Sequence, residues 1–330
     1  MKKLVSQYKS AMKILRNEEG GVALILVLSI MVTLVTIVGE FSSSMRTEIN
    51  ITRNFKEEEE SYRLALAGVE SAKMEILSAE NPAEMYVNEN GTLVLGISEN
   101  EEGEAEDPER KDSLGRGTFE YTISDEDGKL NLNKVSIDQL KNLFLDSGVD
   151  VSDVDIIVDS IMDWRDTNDL HMLNGAEEDY YRSLDNPYSC KDGPFDSVEE
   201  LLLVRGMTPE ILYGTSKQSN EDKDDGEDNY EGVAEYLTVK GPGKVNINTA
   251  SMVVLELVMG TEMANDILIQ RENGPISSPM GKGKVSSSFF TVVSSGSNAD
   301  GSIKRTVKLV LQKKEKNNME TLYWNDNFIG

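Results

Sequence analysis

The sequence predicts an α+β fold, in which a long N-terminal helix packs on an antiparallel sheet and a large α-helical domain is inserted into that sheet. The first sign is an uncharged apolar run, residues 22–38, that continues into a polar stretch with helical periodicity. The second is the alternation of apolar and polar residues at 118–124, 286–294 and 303–311, which is typical of half-buried strands. Helical patterning and an internal repeat fill the stretch between the first strand and the other two, which places the helical domain inside the sheet.

The apolar run predicts a membrane-spanning helix. A helix over residues 22–38 would rise about 26 Å at ~1.5 Å per residue, enough to cross the hydrocarbon core of a bilayer. The basic residues ahead of it are Lys2, Lys3, Lys9, Lys13 and Arg16. Because positive charge favours the cytoplasmic side, everything after Glu40 is expected outside the inner membrane. The sequence therefore predicts an anchored, exported protein.

A cleavable signal peptide is the alternative explanation of this segment. Such a peptide ends its apolar core at a small-residue cleavage site. Here the core ends at residues 39–41, Gly-Glu-Phe, and the small residues Gly20 and Gly21 lie in front of it. A basic leader, a glycine and an apolar helix that stays attached resemble the start of a type IV prepilin or pseudopilin. The resemblance implies cleavage by a prepilin peptidase after Gly21, which leaves Val22 as the new, methylated N-terminus.

The residue at position 26 distinguishes between the types of pilin-like subunit that this sequence could resemble. Leu26 is the fifth residue after the expected cut, where most pilin-like subunits carry a glutamate that pairs with the N-terminal amine of a neighbouring subunit. The missing glutamate and the Val-Ala-Leu-rich start resemble the K-type minor pseudopilin of type II secretion. Residues 61–70, which are Ala-rich and end in Gly-Val-Glu, resemble the same stretch of minor pseudopilins.

Composition excludes some functions. At 330 residues the chain can hold more than one domain, and its net charge is −26. Nucleic-acid binding usually needs the opposite sign, because the protein must replace phosphate counterions, so no nucleic-acid partner is expected. An acidic surface favours solubility, calcium or a basic partner. The single cysteine, Cys190, cannot form an internal disulfide and is expected to be a buried, inert thiol, since His171 is the only histidine.

Residues 41–80 are predicted to continue the helix. Its packed face is expected to include Tyr62, Leu66, Val69, Lys73 and Ile76, which recur at steps of three and four. Pro82 is expected to end it, because proline removes a hydrogen bond of the helix.

Two acidic stretches, residues 97–113 and 217–231, are predicted to be loops because their composition cannot bury a core. The second imitates an EF-hand whose glycine is out of register, so a weak ion site and a plain linker both stay open.

An internal repeat organises the helical region. Residues 129–140 recur as residues 244–255, and five positions coincide. These are Lys129 with Lys244, Asn131 with Asn246, Asn133 with Asn248, Ser136 with Ser251, and Leu140 with Leu255. Asn133 or Ser136 in the first copy, and Asn248 or Thr249 in the second, are the predicted N-caps of the following helices. These units resemble SAM-like or helix-hairpin-helix modules; with one glycine per hairpin and little basic charge, packing and protein contact are favoured over DNA binding.

Residues 163–181 carry the pattern with the clearest chemistry. The candidate metal ligands are Asp163, Asp166, Asn168, Asp169, Glu177 and Asp179. Asp166, Asn168 and Glu177 offer hard oxygen atoms on alternating loop positions and on a second segment. Calcium takes six to eight oxygen ligands, whereas transition metals prefer His or Cys. Spacing alone leaves two interpretations open, a calcium site and a set of acids that cap helices and face water.

The same region carries the strongest resemblance. Residues 163–168, 175–181 and 194–201 read Asp-Trp-Arg-Asp-Thr-Asn, Gly-Ala-Glu-Glu-Asp-Tyr-Tyr and Pro-Phe-Asp-Ser-Val-Glu-Glu-Leu, which resembles the K-type minor pseudopilins. The resemblance runs in register from Gly21 to Arg271. It implies a helical domain, stabilised by one or two calcium ions, inserted in a pilin-like sheet.

The resemblance also implies a function and partners. The expected role is a subunit at the tip of the pseudopilus that helps to initiate its assembly for export of folded proteins across the outer membrane. The implied partners are the I- and J-type minor pseudopilins, the major pseudopilin, prepilin peptidase and the inner-membrane assembly platform. The implied location is the bacterial inner membrane, with a single pass and the bulk of the chain in the periplasm.

Two other functions are weighed against it. A minor pilin of a type IV pilus or a DNA-uptake system shares the same N-terminal features. A membrane-anchored enzyme would have to use paired carboxylates, since the sequence offers no Ser-His or Cys-His arrangement. In so acidic a chain neighbouring carboxylates arise by chance, so no enzymatic activity is expected.

These interpretations divide the chain into six parts. The parts are a leader (1–21), a transmembrane or filament-core helix (22–40), the packed helix with the first part of the sheet (41–128), an inserted α-helical domain (129–232), the rest of the pilin-like domain with the second repeat and a C-terminal hairpin (233–315), and a polar tail (316–330).

Overall fold

The computed structural model describes residues 2–79, 85–88, 90–96, 107–215, 230–314 and 318–328, with side chains from Gly21 onward. The chain divides into two compact units, Met1–Glu60 and Ser61–Gly330. The predicted helix end at Pro82 and most of the two acidic stretches, at 97–106 and 216–229, lie outside the described residues.

Helix α1 (Lys2–Ser78) occupies the described part of the first unit and continues into the second. From Gly21 onward, the length and the composition of this helix are sufficient for it to cross a membrane. The large apolar side chains between Val22 and Val38 are 51% to 72% exposed. The hydroxyl groups of Thr33 and Thr36 donate to backbone carbonyls one turn earlier, at 2.9 and 3.0 Å, so the apolar helix satisfies its own polar groups. The predicted continuous helix is confirmed.

The second unit contains a five-stranded antiparallel sheet in the order β3-β4-β7-β8-β9, a separate hairpin of β1 and β2, and a short parallel pair of β5 and β6. The strands are β1 (Met85–Val87), β2 (Leu93–Leu95), β3 (Lys111–Leu114), β4 (Gly117–Asp125), β5 (Leu130–Asn131), β6 (Leu237–Thr238), β7 (Phe289–Ser297), β8 (Lys304–Lys314) and β9 (Asn318–Asn325). Strand β4 pairs with β7, where Asp125 lies opposite Phe290. The chain therefore leaves the sheet after β4 and returns at β7, which confirms the predicted insertion.

Small residues bring helix α1 onto the sheet. A Cβ atom added at Gly68 would lie 2.3 Å from Ser294 Oγ, and one added at Gly296 would lie 2.1 Å from the backbone oxygen of Ser61. Both contacts are too close for any side chain. Ser294 Oγ donates to the carbonyl of Ala65 at 2.8 Å, which joins the two layers. The helix and sheet thus approach each other backbone to backbone.

This close approach explains why the predicted helix face is only partly right. Val69 and Ile76 are buried as expected, whereas Tyr62 and Leu66 are only half-buried. The centre of the contact face consists of small residues that a search for large apolar side chains overlooks.

The described part of the insertion contains six helices around its own core. They are α2 (Ile137–Asp146), α3 (Val151–Arg165), α4 (Glu178–Arg182), α5 (Pro209–Tyr213), α6 (Met252–Met259) and α7 (Thr261–Arg271), with 3-10 turns at Glu126–Gly128, Glu199–Leu203 and Ala234–Tyr236. One buried apolar cluster extends from Leu130 to Ile276 and includes both copies of the repeat. The expected boundary between residues 232 and 233 therefore does not divide the core, and the second copy belongs to the insertion.

Serine begins the equivalent helix in each copy of the repeat. Ser136 caps α2 with a capping box, and Ser251 caps α6 by accepting a hydrogen bond from the backbone N–H of Val254. The prediction is confirmed for Ser136, but Asn248 or Thr249 as the cap in the second copy is wrong. The side chain of Asn248 instead forms hydrogen bonds with the backbone of Ile276.

The repeated asparagines hold a distant backbone segment. Asn133 donates to the carbonyl of Phe195 at 3.0 Å and accepts from its N–H at 2.7 Å. Asn248 makes the same pair of bonds to Ile276, both at 2.9 Å. The repeat in the sequence thus encodes the same long-range clamp twice.

An arginine closes each clamp from the later helix. Arg165 donates to the carbonyl of Leu132 at 2.6 Å, and Arg271 donates to that of Ile247 at the same distance. These carbonyls occupy matching positions of the two copies. The arginines lie outside the twelve-residue match, so the structural repeat is longer than the sequence repeat.

Three other expectations need correction. Most of the expected polar tail is strand β9, which pairs with β8 from Lys308 to Lys314. The end of the first acidic stretch is strand β3. Of the residues 233–239 that resembled a strand, only Leu237–Thr238 is one, and Ala234–Tyr236 forms a 3-10 turn. Strands β3 and β9 are edge strands with largely exposed side chains, so hydrophobic alternation does not mark them.

Three consecutive buried acids form the junction between sheet and insertion. Asp125 accepts hydrogen bonds from the hydroxyl groups of Thr249 and Ser287. Asp127 forms an ion pair with Lys284 at 2.7 Å. Burial raises the pKa of Asp125 from 3.8 to about 6, and its hydroxyl partners only partly offset that effect.

Glu126 lies between these two acids. It forms an ion pair with Lys129 at 2.8 Å and accepts hydrogen bonds from Thr238 and Thr291. The partners of the three acids come from both ends of the insertion.

We expect the Asp125→Asn variant to change how stability depends on pH. Between pH 3.8 and about 6 the folded wild type keeps a proton that the unfolded chain has released. The stability from this group is therefore fully present below pH 3.8 and is lost as the pH rises through about 6. Urea unfolding across this range should show the wild type losing stability relative to the variant as the pH rises. A difference that stays constant, as expected for the exposed control Asp112→Asn, would contradict this assignment.

Candidate metal site

The last turn of α3 supplies the first carboxylate of the site. Asp163 is fully buried, and both of its oxygens lie 3.0 Å from the backbone N–H of Met172. A Cβ atom added at Gly175 would lie 1.8 Å from Asp163 Oδ2, so only glycine fits there. Burial raises the pKa of Asp163. These contacts fold the loop after α3 back onto the helix.

Further polar contacts fix the same loop. Asp159 Oδ2 accepts from the backbone and the side chain of Asn174, both at 3.1 Å. Arg205 donates to the carbonyl of Gly175 at 3.1 Å. The residues that lead into Glu177 therefore have a defined position.

Glu177 is the unusual acid of this region. It lies at the N-terminus of α4 but makes no capping bond, and its side chain turns inward, with the residue 4% exposed. Neither of its carboxylate oxygens has a hydrogen-bond partner in the described part of the chain. Burial, and next the charge of Asp163, raises its pKa to about 7. A buried carboxylate without a partner is costly unless a cation compensates it.

A second segment faces Glu177. The ligand atoms of Glu177, Cys190 and Asp192 all lie within 4.8 Å of one another. Asp192 Oδ1 is buried and likewise has no hydrogen-bond partner among the described residues. Asp192 also has a positive φ of 51°, which is uncommon for a residue other than glycine. We call Glu177, Cys190 and Asp192 the acidic pocket.

The backbone around the acidic pocket is held from both sides. Cys190 N–H donates to Glu178 Oε2 at 2.7 Å, and Gly193 N–H donates to the carbonyl of Trp164 at 3.3 Å. Glu178 is the neighbour of Glu177, so the same helix start positions both halves of the pocket. Trp164 is buried against Tyr181, with ring centroids 5.0 Å apart in an edge-to-face arrangement.

The structure does not gather the six predicted ligands into one cluster. Asp163 lies close enough to Glu177 for its charge to raise the pKa of Glu177, and Asp166 acts in the same direction with a smaller effect. Asn168 and Asp169 are exposed. Asp179 is exposed too, and its Oδ1 accepts from the N–H of Tyr180 at 2.8 Å.

Sequence reasoning missed Asp192 and the location of Cys190. Cys190 is buried, as expected, but it contributes to the wall of the pocket. The only local signal was the Asp192-Gly193 dipeptide, which is typical of a turn and says nothing of a partner fifteen residues earlier.

The donor set of this region fits a divalent cation. Glu177 and Asp192 present unpartnered buried oxygens, and Asp163 and Asp166 add negative charge nearby. No described lysine or arginine forms an ion pair with any of these four acids. The oxygen donors suit calcium, for which backbone carbonyls and water complete the shell. The arrangement does not suit nucleophilic catalysis, because burial raises the pKa of the Cys190 thiol to about 12, away from the reactive thiolate.

The residues expected at the cleavage and filament positions lie in one uninterrupted helix. Gly21, Val22 and Leu26 are all within α1 and exposed. Leu26 is 57% exposed and offers no carboxylate.

A long helix whose later part packs on an antiparallel sheet, with a helical domain inserted between two strands, is a pilin-like α+β fold. Residues 122–214 match the family model described as "Type II secretion system (T2SS), protein K". A curated protein of Escherichia coli, named "Putative type II secretion system protein K", is 24% identical over 211 residues, which make up 60% of this chain and 61% of that protein. The chain is thus similar to type II secretion system protein K over residues 122–214 and over the 211 residues aligned with the curated protein.

A solved structure has the same fold. It is a chain of "The Crystal Structure of the GspK-GspI-GspJ complex from enterotoxigenic Escherichia coli Type 2 Secretion System", with a TM-score of 0.56 and 18% identity. The match covers 84% of this chain and 99% of that chain. The likeness supports the pilin-like α+β fold with its helical insertion.

Proposed function

We propose that this protein is a minor pseudopilin that caps the tip of a type II secretion pseudopilus and helps to initiate its assembly. Its role is structural, and the filament it starts serves the export of folded proteins across the outer membrane. The observation that carries the proposal is the combination of a pilin-like fold with Leu26 in the apolar helix. In a filament core, the N-terminal amine of a neighbouring subunit would be buried without a counter-charge, which costs about 3–5 kcal/mol. A subunit without a carboxylate at position 26 is suited to a place with no subunit above it.

The insertion supports the same position. It separates strands β4 and β7, and its own core extends from Leu130 to Ile276. Such a domain would collide with laterally packed neighbours in a filament shaft, whereas the end of a filament leaves space for it.

The partners follow from the related complex. The similar solved chain comes from a structure described as a GspK-GspI-GspJ complex. By analogy, we propose that this chain assembles with I- and J-type minor pseudopilins and then joins the major pseudopilin at the inner-membrane assembly platform. The apolar helix anchors it in the inner membrane until then, with the bulk of the chain in the periplasm.

Processing provides the first test. We expect the protein purified from membranes to begin at Val22, with a methylated amine, because Gly20 and Gly21 lie directly in front of the apolar run. Mass spectrometry of the intact N-terminus measures this directly. A start after Gly39 would identify an ordinary signal peptide and contradict the pseudopilin proposal.

Position in the filament provides the second test. A photo-crosslinking residue in place of Leu26 should capture the other minor pseudopilins and should be confined to one end of isolated pseudopili. The Leu26→Glu variant should not improve assembly. At the tip there is no subunit above this one whose N-terminal amine could form an ion pair with the new carboxylate. Crosslinks distributed along the shaft, or improved assembly of Leu26→Glu, would contradict the tip position.

We further propose that the acidic pocket region binds calcium and that the ion holds the loop after α3 against the segment of Asp192. A ligand that binds only the folded state stabilises it by RT ln(1 + [L]/Kd), about 2.7 kcal/mol at a hundredfold excess over Kd. The unpartnered oxygens of Glu177 and Asp192 support this proposal.

The calcium test compares melting temperatures of the whole processed chain in detergent. Calcium should raise the melting temperature of the wild type, a chelator should reverse the rise, and Glu177→Ala should abolish it. Asp179→Ala is the matched control, since Asp179 is exposed and outside the acidic pocket, and it should keep the full shift. A wild type whose melting temperature does not respond to calcium would contradict the calcium proposal.

A further inference from the structure

Cys190 gives the acidic pocket a donor that calcium does not use. Its Sγ lies within 4.8 Å of the carboxylate oxygens of Glu177 and Asp192, and the residue is 6% exposed. The facing carboxylate of Glu177 is buried, and no N–H or O–H group of the described residues donates to it, so the Cys190 thiol is its nearest polar neighbour on this side. Cys190 belongs to the buried apolar cluster of the insertion, but its sulfur also lies next to the carboxylates of two acids.

One sulfur and two carboxylate oxygens form a ligand set for a thiophilic divalent ion. Zinc binds Cys sulfur at about 2.3 Å and carboxylate oxygen at about 2.0–2.2 Å, so tetrahedral ligand atoms are separated by roughly 3.5 Å. The separations in the pocket are at most 4.8 Å, so binding would require these ligand atoms to move closer together by about 1 Å. Water can occupy the fourth position.

We propose that the acidic pocket is also a zinc-class site, in which Cys190 Sγ, Glu177 and Asp192 bind Zn²⁺ or Cd²⁺ in competition with calcium. The inference rests on the proposed metal site and names a second ion for it. In the binding step the Cys190 S–H bond breaks, a metal–sulfur bond forms, and the thiol proton passes to solvent. Two carboxylates and one thiolate then surround the dication. No oxidant or reductant takes part.

Competition follows from the shared carboxylates. Calcium uses only the oxygens, while zinc-class ions gain the sulfur as well, and affinity for such ions rises with softer ligands. A thiophilic ion should therefore displace calcium from the pocket at comparable concentrations. Replacement of the sulfur should remove this preference and leave the calcium response in place.

Cadmium is the probe, because a cadmium–thiolate bond has a strong ultraviolet charge-transfer absorption. The experiment titrates Cd²⁺ into the whole processed chain in detergent and follows this absorption and the release of protons in weak buffer. The wild type should develop the band to saturation at one ion per chain, and calcium should compete. It should release one proton more per ion than Cys190→Ser does, because the thiol proton adds to any proton that Glu177 gives up in both proteins. Cys190→Ser should lack the band yet keep its melting-temperature rise with calcium.

The variants separate this inference from the proposed calcium site. Glu177→Gln should weaken Cd²⁺ binding by about tenfold or more, while Asp179→Ala should leave it unchanged. A wild type with a calcium shift but without a cadmium–thiolate band would overturn the inference and leave the calcium proposal standing. A band that Glu177→Gln does not weaken would overturn it too, because the sulfur would then act without the carboxylate. A wild type with neither response would contradict both proposals.

Discussion

The buried acids Asp125, Glu126 and Asp127 connect the two apolar cores of the second unit, the core of the insertion and the core between helix α1 and the sheet. A domain inserted in a sheet must leave and re-enter at neighbouring strand ends, and here both passages meet at these carboxylates. Asp125 accepts from Ser287, just before β7, and Asp127 pairs with Lys284. Buried charges are tolerated only when they are paired and hydrogen-bonded, so the acids hold the two ends of the insertion in one geometry. Loss of one partner would leave an uncompensated carboxylate at the junction.

The insertion applies the same principle to its loops. Polar side chains clamp distant backbone, as Asn133 does for Phe195 and Asn248 for Ile276. Asp163 fixes the loop after α3 in the same manner. Against this background of satisfied groups, Glu177 is an exception: a buried carboxylate whose oxygens have no partner in the described chain. Asp192 Oδ1, which faces Glu177, is another buried acidic oxygen without a hydrogen-bond partner among the described residues, and the two together support the proposal of a bound cation.

The sequence predicted the parts of the fold whose pattern is local. The long helix, strands β4, β7 and β8, and the Ser136 cap each carry their own periodicity or capping signal. Edge strand β9 does not, because its side chains are largely exposed and its place comes from backbone pairing with β8. The second cap was misassigned because Asn248 is an equally good capping residue, and only the contact with Ile276 shows that it is committed elsewhere. Asp192 was missed for the same reason, since its position depends on how the backbone from Cys190 to Gly193 is anchored.

The distribution of charge adds a separate argument about where such a subunit can stand. The chain carries −26 in total, while residues 22–38 carry no charge and the leader is basic, so all of the negative excess belongs to the region after the apolar helix. Exposed charges of like sign repel one another over roughly 10 Å at ~0.1 M salt. Copies of this region stacked along a shaft would repel one another at every contact. A single copy has no identical neighbour, so its acidic surface imposes no such penalty and remains free for cations or for a less acidic partner. Charge, the bulk of the insertion and Leu26 therefore all support the proposal of a place at the end of the filament.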